Sequence, residues 1–198
     1  MTYELLIGLI GFAVASSITP GPNNLMLMAS GANFGFRRTI PHMVGISLGH
    51  AFMVVLVGFG LGKLFDTYPI AQTILQVLST GYLLYLAWKI ANAAPPQEGV
   101  ARGKPFTFFQ AAAFQWVNPK AWYMAVYAVT NYTPSGEGYW PVLVVAGVFA
   151  ATNQPSVAIR VAMGTQIKRL LIRPRFLRAF NWTMAGLLIL TLVPVWLG

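Results

Sequence analysis

An apolar run over about 4–32 is interrupted by the stretch Thr19-Pro20-Gly21-Pro22-Asn23-Asn24. Two prolines and a glycine cannot continue a helix, and in a bilayer the carbonyls they release must find partners in the protein or in a wet cavity. Pro22 suits the first position of a new helix, so the amides of Asn23, Asn24 and Leu25 should point back into the gap. The stretch predicts a broken membrane span with an anion site, although a Pro-Gly kink filled by a neighbouring helix also fits.

Composition indicates a membrane protein. Apolar residues make up 57% of the 198 positions and charged residues only 9%, whereas a soluble domain carries about a quarter charged residues. The excess of 13 Lys and Arg over 4 Asp and Glu lies at the ends of apolar runs, so a nucleic-acid partner is not expected. Cysteine is absent, which excludes disulfides and thiol chemistry.

Five further apolar runs predict spans at about 40–62, 70–90, 106–132, 141–164 and 179–197. Span 4 is interrupted by Asn118-Pro119-Lys120, where Asn118 suits an N-cap and Pro119 the first helical position. Span 5 is interrupted at 152–156, around Pro155. We therefore predict an all-α integral membrane protein, with spans 1, 4 and 5 broken at proline.

The six spans divide into two sets of three, and an odd number makes the second set run the opposite way through the membrane. The prediction is a single transporter domain over 1–198, with repeat 1 at about 1–92, a loop at about 93–105 and repeat 2 at about 106–198. Paired interruptions in two inverted halves point to a site between the repeats, near the midplane.

The loops after the odd-numbered spans carry nearly all the cations, whereas those after spans 2 and 4 carry only Lys63. By the positive-inside rule this predicts cytoplasmic odd-numbered ends and both termini on the outer side. The cations concerned are Arg37, Arg38, Lys89, Arg102, Lys104, Lys168, Arg169, Arg173, Arg175 and Arg178.

The broken spans also suggest what the site binds. The half-helix N-termini at Pro22 and Pro119 favour a carboxylate, and Lys120 is unfavourable beside such a dipole unless an anion also sits there. We therefore expect Lys120 to pair with a substrate carboxylate, with snorkelling toward the headgroups as the alternative. The predicted substrate-binding set is Thr19, Pro20, Gly21, Pro22, Asn23, Asn24, Asn118, Pro119, Lys120, Asn153, Gln154 and Arg160.

The remaining polar and small residues are assigned to packing. His42 and His50 lie eight positions apart, so on one helix they point about 80° away from each other, and no third ligand is near in sequence. We expect packing histidines, no metal and no cofactor. Gly45 and Gly49 have the spacing that lets another backbone approach closely, which favours tight packing within one subunit over a dimer seam.

These motifs resemble the LysE/RhtB family of amino-acid exporters. The resemblance is carried by residues 18–24 and 30–38, by Pro41, His42, Gly45 and Gly49, by 114–122, and by 153–156 with Gly164. It implies export of amino acids or close derivatives across the bacterial cytoplasmic membrane, by exchange with protons. Members often have a small apolar residue where Gln154 stands and a Trp where Arg160 stands. We hypothesise that Arg160 favours a more anionic substrate, while contact with cytoplasmic headgroups fits equally.

The leading interpretation is a secondary transporter that works by alternating access around the breaks at Pro20, Pro22 and Pro119. Its partners are a small zwitterionic or anionic solute such as an amino acid, protons as coupling ion, and membrane lipid; a homo-oligomer is left open. The main alternative is a non-transporting structural or regulatory membrane subunit. A membrane enzyme is disfavoured because no carboxylate or thiol is placed within a span.

Overall fold

The computed structural model describes residues 1–92, 104–134, 136–167, 174–193 and 196. Almost all of them are helical, which confirms the all-α prediction for this part of the chain. The helices are α1 (Tyr3–Ile18), α2 (Pro22–Phe34), α3 (Phe36–Leu56), α4 (Lys63–Thr67), α5 (Pro69–Ala91), α6 (Phe108–Phe114), α7 (Pro119–Tyr132), α8 (Trp140–Ile167) and α9 (Pro174–Leu190). Most of the predicted central loop, and the cations Arg102, Lys168, Arg169 and Arg173, lie outside the described residues.

The break in span 1 is confirmed. Helix α1 ends at Ile18, α2 begins at Pro22, and the two are bent by 53°. Gly21 is the N-cap of α2 and no described side chain caps this end. One detail was wrong: the amide of Leu25 does not point into the gap but donates to the Gly21 carbonyl at 3.2 Å, because it closes the first turn of α2.

The break in span 4 is also confirmed. Helix α6 passes into a short 3₁₀ turn, Gln115–Val117, and α7 starts at Pro119. The side chain of Asn118 caps α7 by accepting a hydrogen bond from the Lys120 amide at 3.2 Å. The sequence predicted this cap because Asn before Pro leaves the helical region while its side-chain oxygen satisfies a free amide.

The predicted break in span 5 is wrong. Helix α8 is continuous over Trp140–Ile167, with Pro155 inside it. A single proline removes one hydrogen bond of the helix ladder, and a packed neighbour can accommodate that loss. Span 1 differs because it carries two prolines flanking a glycine.

Three helical segments are long and apolar enough to cross a membrane: Phe36–Leu61, Pro69–Ala91 and Trp140–Ile167. The bent pair α1 and α2 makes a fourth if it counts as one span. The first of these segments extends α3 through a wider turn, Val57–Leu61, in which Gly60 has a φ of 112° that favours glycine. The described structure therefore supports three to four spans of an integral membrane protein.

Glycines allow the closest helix contacts. A Cβ at Gly45 would lie 2.4 Å from the Phe108 carbonyl oxygen, and one at Gly49 would lie 2.6 Å from Cα of Ala112. The predicted packing of this glycine pair within one subunit is thus confirmed, with α6 as the partner of α3. Gly164 of α8 approaches α2 in the same way, since its Cβ would lie 2.1 Å from the Met28 carbonyl oxygen.

Candidate functional site

A cleft lies where the two helix breaks meet, between α1, α2, α3, α7 and α8. Both broken spans contribute their first helical turn after the break to its wall. The lining residues are Ser16, Ser17, Gly21, Pro22, Asn23, Asn24, Ile46, His50, Gln115, Asn118, Lys120, Ala121, Met124 and Asn153. Among these lining residues no side chain is acidic and Lys120 is the formal cation.

Side chains bond the carbonyls of four consecutive residues, 17–20, at the end of α1 and in the break. The oxygen of Ser17 accepts from Asn24 at 3.0 Å and from Ser156 at 3.1 Å. The Ile18 oxygen accepts from Arg160 at 2.5 Å. The Thr19 oxygen accepts from Asn24 and Lys120, and the Pro20 oxygen from Lys120. Side chains of α2, α7 and α8 therefore satisfy these four carbonyls, as a segment inside a bilayer requires.

Lys120 reaches from the start of α7 to the end of α1. Its Nζ donates to the Thr19 oxygen at 2.6 Å and lies 3.4 Å from the Pro20 oxygen. Gly21 permits this approach, because a Cβ there would lie 2.8 Å from Cδ of Lys120. An ammonium has three N–H donors, so one remains for a ligand in the cleft. The negative end of the α1 dipole also offsets the unfavourable position of this lysine beside the α7 N-terminus.

An amide pair joins the two broken spans across the cleft. Asn23 Nδ2 donates to Gln115 Oε1 at 2.8 Å, and Gln115 Nε2 donates back to Asn23 Oδ1 at 3.2 Å. Gln115 is fully buried and also donates to the Ala111 carbonyl at 2.9 Å. Sequence reasoning missed Gln115 as a site residue, although it lies three positions before the Asn118 cap.

Seven of the twelve predicted binding residues line the cleft: Gly21, Pro22, Asn23, Asn24, Asn118, Lys120 and Asn153. Asn153 also donates to Ser47 Oγ at 3.1 Å, which ties α8 to α3. Thr19 and Pro20 are not among the lining residues, but their carbonyls hold Lys120, and Pro119 precedes that lysine in the chain. Gln154 and Arg160 are not among the residues that line the cleft.

Both histidines are buried, as expected for packing residues. His42 packs against Phe106 with ring centroids 5.2 Å apart, and His50 packs edge-on against Phe149 at 5.0 Å. Neither has a hydrogen-bond partner at Nδ1 or Nε2 among the described residues. His50 alone of the two lines the cleft, a role that sequence reasoning did not assign to it. In the part of the chain that the structure describes, no three His, Asp or Glu side chains are grouped to hold a metal ion.

The model of the LysE type translocator family matches residues 14–193. The chain belongs to that family. The family resemblance noted from the sequence is thus confirmed, and with it a multi-pass membrane protein of a translocator family rather than an enzyme.

Curated relatives of this LysE type translocator include proteins named cysteine/O-acetylserine efflux protein in Escherichia coli (strain K12), Shigella sonnei (strain Ss046) and Escherichia coli O1:K1 / APEC. Each is 32% identical over 133 residues, which is 66% of this chain and 65% of the relative. The match thus spans slightly less than two thirds of the relatives' length. No solved structure matches the chain significantly.

Proposed function

We propose that this protein is a secondary transporter that exports small amino acids or close derivatives across the bacterial cytoplasmic membrane. The observation that carries the proposal is the cleft between the two breaks, where the first turns of α2 and α7 and the side chain of Lys120 meet. Membership of a translocator family and the efflux function named for the relatives support the same activity.

The solute carboxylate would bind at the start of α2 and α7, beside Lys120. Free amides at a helix N-terminus and an ammonium with a donor to spare are complementary to a carboxylate. None of the described residues that line the cleft has an acidic side chain, which a second positively charged group on the solute would need as a partner. Small neutral amino acids such as cysteine or O-acetylserine, the solutes in the relatives' name, are therefore favoured over lysine and arginine.

The architecture that we propose is six spans in two inverted repeats, with both termini on the outer side. In support, the N-terminal amino group forms an ion pair with Glu137, in the segment between α7 and α8. That contact puts the N-terminus at the same end of the bundle as the loop after span 4, as the cation distribution predicts. Rocking of one repeat against the other around the cleft would give alternating access.

Proton exchange is the coupling that we propose with this export. The titratable side chains that line the described cleft are His50 and Lys120. Net efflux from proteoliposomes should therefore respond to an imposed pH gradient, whereas equal exchange of solute for solute should not depend on one.

Counterflow in proteoliposomes tests the function. The wild type should exchange labelled cysteine or O-acetylserine against the same unlabelled solute, and lysine should exchange at least about tenfold more slowly. Lys120→Ala should abolish exchange, because the carboxylate loses its cationic partner and the Thr19 and Pro20 carbonyls lose a donor. Lys120→Arg, which keeps the charge, should retain part of the activity.

Lys89→Ala is the matched control. Lys89 lies in the last turn of α5 against the Tyr85 ring, away from the cleft, so its removal should leave exchange unchanged. If folded wild type exchanges none of a full amino-acid panel, the transporter proposal is wrong. If exchange survives in Lys120→Ala, the assigned carboxylate site is wrong.

A further inference from the structure

Two buried polar side chains in the cleft lack partners among the described residues. Ser17, in the last turn of α1, is 6% exposed, and His50, on α3, is 4% exposed. Both line the cleft, and neither Ser17 Oγ nor the two ring nitrogens of His50 has a hydrogen-bond partner within the described chain. Buried polar groups are normally bonded, so unpaired atoms on two residues that line a cleft point to a ligand group that bonds to them.

Three amide oxygens at the cleft are already engaged, whereas Asn24 and Asn153 are bonded there through their amide nitrogens. Asn23 Oδ1 and Gln115 Oε1 accept from each other's amides, and Asn118 Oδ1 accepts from the Lys120 amide. The free donors, by contrast, are plentiful: the third N–H of Lys120 and the first amides of α2. A zwitterion brings both a carboxylate, which needs donors, and an ammonium, which needs acceptors.

Ser17 and His50 supply that acceptor chemistry. A serine hydroxyl has two acceptor lone pairs, and a neutral imidazole has one unprotonated nitrogen. Ser17 also belongs to the last turn of α1, where the helix dipole is negative and a cation is favoured. Neither Asp nor Glu lines the described cleft to take this role instead.

We propose that Ser17 and His50 form the subsite that receives the amino group of the transported amino acid. This inference rests on the proposed transport function. It assigns the part of the site that binds the amino group, whereas Lys120 and the helix N-termini form the part that binds the carboxylate. It implies that the transporter distinguishes an amino acid from the same molecule without its amino group.

The test compares two ligands on several variants. O-acetylserine and 3-acetoxypropionate differ by the amino group alone, and their affinities for detergent-purified full-length protein can be measured by thermal stabilisation. The wild type should bind O-acetylserine at least about tenfold more tightly than 3-acetoxypropionate. Ser17→Ala and His50→Leu should each reduce the ratio of the two affinities to about one, while the affinity for 3-acetoxypropionate stays unchanged. His50→Gln, which keeps a donor and an acceptor, should retain part of the preference.

The chain offers matched controls for both substitutions. His42 is a second buried histidine with both nitrogens unpaired in the described chain, and Ser79 is a second buried serine with an unpaired hydroxyl. Neither lines the cleft, so His42→Leu and Ser79→Ala should keep the full wild-type preference. These controls separate loss of the subsite from any general effect of removing a buried polar group.

The possible results are distinct. A preference that persists in folded Ser17→Ala and His50→Leu overturns the subsite while leaving transport intact. An equal loss in His42→Leu also overturns it, because the effect would then be structural. A wild type that binds neither compound and shows no counterflow overturns the subsite and the transport proposal together.

Discussion

Arg160 places a charge inside α8, two helical turns beyond Asn153. Its Nη2 donates to the Ile18 carbonyl at 2.5 Å, and the residue is not among those that line the cleft. Like Ser156, it thus donates a hydrogen bond to a backbone carbonyl at the C-terminal end of α1. The geometry favours a structural role for this arginine over the hypothesis that it selects a more anionic solute.

Replacement of Arg160 by Trp tests that role. The Ile18 carbonyl loses a charged donor, so we expect destabilisation of about 1.5–3 kcal/mol and a lower thermal midpoint in detergent. The order of preference among solutes in counterflow should stay as in the wild type. A variant of normal stability that exchanges acidic amino acids more slowly, relative to neutral ones, than the wild type does would restore the selectivity hypothesis.

The sequence predicted the role of a residue only where that role depends on the residue's own helix. Asn118 was assigned as a cap because cap, proline and helix start are neighbours in the chain, and the structure confirms it. Lys120 was expected to require an anion, but the carbonyls of Thr19 and Pro20, about a hundred positions earlier, supply its partners. Gln115 and His50 were missed as lining residues for the same reason, since their surroundings come from other helices.

At the scale of the helix, a proline breaks a span when its neighbours also favour a helix end. The Pro-Gly-Pro stretch removes two donors and supplies a flexible residue, so α1 ends there. Pro155 removes one donor in α8, which stays continuous and packs along α2 and α3. Proline alone was therefore a weaker predictor of a break than proline with glycine or with an N-capping asparagine.

The contact of α8 with α2 depends on Gly164. A Cβ there would lie 2.1 Å from the Met28 carbonyl oxygen and 3.0 Å from the Ala32 nitrogen, both of them backbone atoms that cannot rotate away. We expect Gly164→Ala to force the two helices apart, at a cost of about 1–3 kcal/mol, and to lower the thermal midpoint.

Gly147→Ala is the control on the same helix. A Cβ at Gly147 would meet no atom of the described residues within 4 Å, so alanine should leave stability unchanged or raise it by up to about 1 kcal/mol through helix propensity. Equal midpoints for the two alanine variants would show that the close approach of α2 and α8 does not limit stability.

At the scale of the whole molecule, the broken span of each half packs on the second span of the other half. Helices α1 and α2 of the first half pack on α8, while α6 and α7 of the second half pack on α3. Helices α3 and α8 pack on each other, as do α5 and α9. A two-fold axis in the membrane plane that relates the halves would produce these pairings, which supports the inverted-repeat proposal.

The orientation of this bundle can be tested directly, because the wild type has no cysteine and is its own unlabelled control. Tyr3 and Tyr139 are exposed near the two ends that we assign to the outer side, and Arg37 and Lys104 are exposed near ends assigned to the cytoplasm. In intact cells, a membrane-impermeant maleimide should label Tyr3→Cys and Tyr139→Cys, and should label Arg37→Cys and Lys104→Cys only after permeabilisation. The reverse labelling pattern would show that the protein has the opposite orientation in the membrane. Labelling of Tyr3→Cys and Tyr139→Cys from opposite sides would contradict the even number of crossings between them and, with it, the inverted repeat.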